Sequence, residues 1–104
     1  MVIYEVNLII EEEVYSQFQF WLKEHAKEML QFPGFIQAHI LKPENEDTQT
    51  EKKLTVQYQV ENKSFLTNYF NQFAVKMREE GLKHFKDKFS AERRIYEVQE
   101  YISK

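Results

Sequence analysis

Three histidines, His25, His39 and His84, are the side chains of this 104-residue sequence whose ordinary pKa lies closest to neutrality. His25 has the most suggestive surroundings. It follows Trp21 by four residues in WLKEHAKEM, so the two share a face if the segment is helical. An imidazole beside an aromatic wall can exchange a proton with a bound apolar molecule. The expected site therefore has His25 as acid or base and Tyr4, Trp21, His25 and Tyr58 as the lining of a ligand pocket between a helix and a sheet. The structural alternative is a core histidine bonded to a backbone carbonyl or to the hydroxyl of Tyr4 or Tyr58.

Other chemistry is bounded by the residues present. His25 and Glu28 share a helix face, but carboxylate-bridged metal sites repeat Glu-x-x-His on two helices, so no metal is expected. Arg93 and Arg94 can grip a carboxylate or phosphate. On an alternating strand such neighbours point to opposite faces, and pairing with Glu5, Glu97 or a neighbouring subunit is the expectation. Arg78 is expected to bridge its helix to an acid. The absence of cysteine removes disulfides, thiolate nucleophiles and cysteine-ligated metals. Gly34 and Gly81 are the only glycines, too few for a Gly-rich phosphate loop. Asp47 and Asp87 are the only aspartates, and no nucleophile elbow is present.

These residues need elements to position them. Val2 to Ile10 alternates, with Val2, Tyr4, Val6, Leu8 and Ile10 on one face and Ile3, Glu5, Asn7 and Ile9 on the other, which predicts a strand. Glu11 to Glu13 suit the first turn of a helix, whose stripe is Val14, Phe18, Trp21, Leu22, His25 and Met29. It is predicted to run to about Phe32 and to stop at Pro33 and Gly34. Phe35 to Leu41 reads as a strand with Ile36, Ala38 and Ile40 on one face. After the polar loop Pro43 to Glu51, Lys53 to Val60 alternates and completes a hairpin. Asn62 or Ser64 caps a second helix through Leu66, Tyr69, Phe70, Phe73 and Met77, which Gly81 is expected to interrupt. A last strand is predicted from about Ser90 to near Ile102.

The order is β-α-β-β-α-β, the ferredoxin-like split unit, a four-stranded antiparallel sheet with both helices on one face. A chain of this size with 42% hydrophobic residues reads as one domain, residues 1–104. The other sheet face mixes Glu5, Asn7, Gln37, His39, Gln57 and Gln59 with Ile3, Ile9 and Leu41. That mixture favours pairing with a second copy, so a homodimer is expected. A net charge of −3 with basic residues interspersed argues against a nucleic-acid partner. MVIYEVNLII lacks a basic leader, and no apolar run approaches the roughly 18 residues of a membrane helix. A cytoplasmic protein with no membrane partner is the expectation.

With the elements placed, the chain resembles a family of small bacterial proteins catalogued as a domain of unknown function within the dimeric α+β barrel superfamily. The matching pieces are IYEV at Ile3–Val6, W-x-x-E-H at Trp21–His25, ML-x-x-x-GF at Met29–Phe35, VQY at Val56–Tyr58 and, most specifically, MREEGLKHFKDKFSAERRI at Met77–Ile95. The resemblance implies the fold and dimerisation, and no assigned reaction or cofactor. The wider superfamily includes cofactor-independent monooxygenases, haem-degrading oxygenases and muconolactone-type isomerases. Haem-degrading members use an Asn, a Trp and a His. Asn7 and His84 fall on suitable elements, whereas Trp21 lies on the first helix instead of in the second half of the fold. Two functions follow as expectations: a homodimeric small-molecule-binding or interaction module, or a cofactor-independent monooxygenase- or isomerase-like enzyme acting on an apolar or aromatic metabolite.

Overall fold

The computed structural model describes residues 1–104. Four strands, β1 (Val2–Glu11), β2 (Phe35–Leu41), β3 (Glu51–Val60) and β4 (Phe89–Glu97), form one antiparallel sheet in the order β2-β3-β1-β4. Helices α1 (Tyr15–Met29), α2 (Lys63–Gln72) and α3 (Ala74–Phe85) complete the ferredoxin-like arrangement. No helix is long and apolar enough to cross a membrane.

The alternation in β1 sets the layers. Val2, Tyr4, Leu8 and Ile10 are buried toward the helices, and so are their β3 register partners Val60, Tyr58, Leu54 and, opposite Val6, Val56. Phe18, Leu22, Ala26 and Met29 of α1 and Leu66, Tyr69, Ala74, Met77 and Phe85 of the later helices close this core. The whole predicted stripe of α1 is at least half-buried.

On the opposite face, Glu5 is the hub of a polar ladder. Its carboxylate accepts from Asn7 Nδ2 and Gln57 Nε2, both at 2.9 Å, and from Tyr96 Oη at 3.3 Å, while Thr55 Oγ1 donates to Asn7 Oδ1 at 2.8 Å. These bonds, that from Asn7 foremost, hold the Glu5 carboxyl below the usual range, so it is ionised at neutral pH.

Several expected boundaries differ. A single 3-10 turn, Glu12–Val14, separates β1 from α1, because Val14 has no side-chain oxygen with which to cap the first helical N–H groups. The helix ends at Met29 instead of about Phe32. In β2 the pairing jumps between Phe35 and Gln37, so Ile36 is a bulge residue left 50% exposed, and Phe35 takes the core position opposite Val60. Ile40 lies in line with Val56 on the edge strand and stays partly exposed. Asn62 is the cap of α2, its Oδ1 accepting from the Phe65 N–H at 3.1 Å.

Gly81 does not interrupt the second helical region. The break is at Phe73, whose backbone (φ −127°, ψ −24°) leaves helical geometry as its ring stacks on Phe32 at 4.6 Å. Gly81 lies buried inside α3, which runs unbroken to Phe85. At the C-terminus β4 stops at Glu97, well short of Ile102, and the last backbone tie is from Val98 N–H to Met1 O at 3.0 Å.

Gly34 has a stricter role than ending a helix. Its φ is +83°, and a Cβ there would run into the Phe65 ring. Gly34→Ala should therefore lower stability by about 2 kcal/mol or more, the left-handed penalty plus overpacking. Gly34→Asn tolerates the dihedral but meets the same ring, so thermal denaturation should show it destabilised too; wild-type melting in both variants would refute the collision.

Candidate functional site

The four residues singled out in the sequence meet at one cavity between α1, α3 and the sheet. Tyr4 and Tyr58, opposite each other in register on β1 and β3, form its floor, with ring centroids 5.9 Å apart. Trp21 and His25, one turn apart on α1, form a wall; their rings stack at 4.5 Å with an 18° tilt. Tyr69, Met77, Arg78 and Gly81 line the opposing side, and Arg93 lines it from β4. The enclosed volume is about 60 Å³, and most of the lining is apolar. The larger concavities are open grooves between charged surface residues.

Gly81 explains how Trp21 fits. A Cβ at position 81 would stand 3.1 Å from the indole Cη2 and 3.3 Å from Phe89 Cζ, so only glycine lets the indole lie against α3 without displacement. The same indole contacts Phe18 at 5.5 Å and Phe85 at 5.7 Å, which fixes its plane and hence the plane of the imidazole stacked on it.

His25 is half-buried, and neither structural partner proposed for it is in place. Its Nδ1 is sealed from solvent without any hydrogen bond. Burial holds its pKa below the ordinary imidazole value; nearby Glu80 pushes it up, and Arg93 pushes it down. The imidazole is therefore neutral at pH 7 and able to accept a proton. No group of the chain bonds Nδ1 to fix the tautomer, unlike the oriented histidines of catalytic triads.

One imidazole nitrogen of His25 and one carboxylate oxygen each of Glu28 and Glu80 lie within 4.8 Å of one another. The sequence offered only the His25 and Glu28 pair; α3 supplies the third donor. Such a set can hold a divalent cation, and the two carboxylates, Glu28 exposed and Glu80 partly so, are neighbours of His25.

Tyr58 and Tyr69 are pushed well above the ordinary phenol pKa, chiefly by burial, so both remain protonated donors. Arg78 does not bridge to an acid as expected: its Nη2 donates to Tyr4 Oη at 3.4 Å and its guanidinium stands 5.9 Å from the Phe70 centroid. Arg94 points to the other sheet face and bonds Glu92 at 2.8 Å, with Glu5 its register partner. Arg93, opposite Val6, faces the cavity and takes no ion pair. Alternation with Ala91 and Ile95 would have placed Arg93 on this face from the sequence alone, and spacing by four along Ala74, Arg78 and Leu82 would have set Arg78 at the margin of the buried stripe. Tyr69, which the sequence shows only as part of the second helix's apolar stripe, also lines the cavity.

Asn7 is turned away from this cavity, bonded to Glu5 and Thr55 on the opposite face, and His84 is exposed on α3 with its ring 6.4 Å from Trp21. The Asn, Trp and His set of haem-degrading proteins is thus not assembled here.

In an imidazole titration by NMR, His25 should show a midpoint below about 6.5. Glu80→Gln should lower it further and Arg93→Gln should raise it. Because the folded pKa is depressed, the unfolded chain binds the proton more readily as pH falls below 6.5. Stability is then fully present above that value and lost as pH drops through the folded pKa, a loss that His25→Gln should blunt in acid melting curves; an unshifted midpoint would contradict the burial.

Several solved structures share the fold. A proposed antibiotic biosynthesis monooxygenase from Deinococcus radiodurans superposes with a TM-score of 0.78 at 17% identity, covering 99% of this chain and 97% of that one. SnoaB, a cofactor-independent oxygenase from Streptomyces nogalater, gives 0.72 at 12% identity with 99% and 98% covered. The haem-degrader MhuD from Mycobacterium tuberculosis, solved with two haems in its active site, gives 0.67 at 16% identity with 97% and 99% covered. At these identities the likeness establishes the fold. A search of curated protein sequences finds no match. The family described as a domain of unknown function, DUF4286, matches residues 1–99, and the chain belongs to it.

Proposed function

We propose that this chain is a homodimeric, cofactor-independent enzyme that binds a small aromatic or apolar molecule in the cavity and uses His25 to take a proton from it. The observation that carries the reading is a neutral imidazole that lines a cavity with aromatic walls; its Nδ1 has neither a partner nor access to solvent, so Nε2 is the nitrogen left to take the proton. A satisfied core histidine would have had a partner. Glu28 and Glu80 are placed to pass the proton on to water. One structural neighbour is a cofactor-independent oxygenase, which supports the reading that this fold can serve chemistry without a cofactor.

The volume limits the ligand. A single aromatic ring needs a cavity of about 150 Å³, more than the 60 Å³ enclosed here. A one-ring ligand therefore requires lining side chains to move apart, and those of the exposed Arg78 and Arg93 are the freest to do so.

The dimer reading rests on the polar ladder around Glu5. Its donors and acceptors already bond one another, so covering that face with a second copy leaves few orphaned groups, while Ile3, Ile9 and Leu41 supply apolar contact. Light scattering over a concentration series should give twice the chain mass at micromolar protein; a strict monomer at high micromolar concentration would rule the dimer out.

A second reading, a binding module without chemistry, is favoured by the absence of any group orienting the imidazole. The two separate in solvent-deuterium exchange of one-ring aryl ketones followed by NMR. Wild type should accelerate exchange at the acidic C–H, and His25→Asn should cut the rate by about 100-fold or more while ring binding persists. Equal rates in both proteins would leave the binding module.

A further inference from the structure

We infer that the ligand of this cavity is a one-ring or smaller carboxylic acid, its apolar body inserted toward Tyr4 and Tyr58 and its carboxylate held at the mouth by Arg78 and Arg93. The inference rests on the cavity reading above and adds the chemical class. Two guanidinium groups from different elements, α3 and β4, line an otherwise apolar cavity, both belong to exposed residues, and neither takes part in an ion pair. The other surface cations nearby behave differently: Arg94, one residue along β4, is bonded to Glu92, and Lys88 is bonded to Glu13 and close to Glu11. With 17 acidic residues in the chain, two arginines that line one cavity and pair with no acid are a local arrangement that the composition does not dictate.

The geometry also fixes where the charge goes. A guanidinium offers planar paired donors that match a carboxylate, and at the mouth that carboxylate keeps part of its water, which avoids the cost of burying an ion. The hydroxyls of Tyr58 and Tyr69, also on lining residues, stay neutral phenols and suit a neutral oxygen or ring substituent. Tyr4 Oη, accepting from Arg78, ties that guanidinium to the cavity.

Calorimetric titration of the full chain with benzoate, its neutral isostere benzamide and 4-nitrophenolate tests this. Benzoate should bind wild type about 10-fold or more tighter than benzamide, a preference that shrinks with added salt. Arg78→Gln and Arg93→Gln should each weaken benzoate about 10-fold and leave benzamide unchanged. Both residues are exposed, so unchanged melting of the free variants separates lost contact from lost fold. Equal affinity for benzoate and benzamide, or benzoate binding indifferent to both substitutions, overturns the carboxylate while leaving the cavity reading intact. Tighter binding of 4-nitrophenolate than benzoate moves the charge to the tyrosines and likewise overturns it. If none of the three rings binds at millimolar concentration, the cavity reading falls with it.

Discussion

The site depends on one close approach, that of the Trp21 indole to the backbone of α3 at Gly81. A Cβ at position 81 would sit 3.1 Å from the indole, so any other residue there would press on the indole and, through it, on the imidazole stacked on it. Glycine inside a helix costs about 1 kcal/mol relative to alanine. Here that cost is offset by contacts of the indole with Phe18 and Phe85. The arrangement ties fold to site: α3 must begin afresh after Phe73 to bring Gly81 over Trp21, and the turn at Phe73 is held by its own stacking on Phe32.

How much of this can be read from the sequence follows from the range of the forces involved. Strand alternation and the α1 stripe are local patterns, and they located Tyr4, Trp21, His25 and Tyr58, which one cavity now joins. The misplaced helix break shows where locality fails. Gly81 has the lower helix propensity, yet Phe73 breaks the helix because a ring 41 residues earlier in the chain, Phe32, offers it a stacking surface. The bulge at Ile36 is similar: alternation pointed it inward, but Phe35 fills the position opposite Val60 and the chain slips by one. Glu80 beside His25 has no local signal at all, since the approach is made by two helices packing. Arg93 did carry a signal, the alternation of β4, which puts it and Arg94 on opposite faces; the expected pairing with an acid holds for Arg94 with Glu92 and not for Arg93.

On the reading proposed above, the electrostatics of the cavity suggest an order of events. Arg93 at the mouth and burial within both disfavour a charged imidazole, so in the free protein His25 waits as a neutral acceptor. A bound anion would cancel the cationic influence of Arg93, and a proton arriving on His25 would then meet Glu80 on one side and a neutralised guanidinium on the other. Ligand charge and base strength are thereby coupled through space: an acidic ligand raises the basicity of the group that acts on it, and a neutral ligand of the same shape leaves the imidazole as weak as burial makes it. The enclosing residues can thus discriminate in the proton-transfer step as well as in binding, with the same arginine serving both.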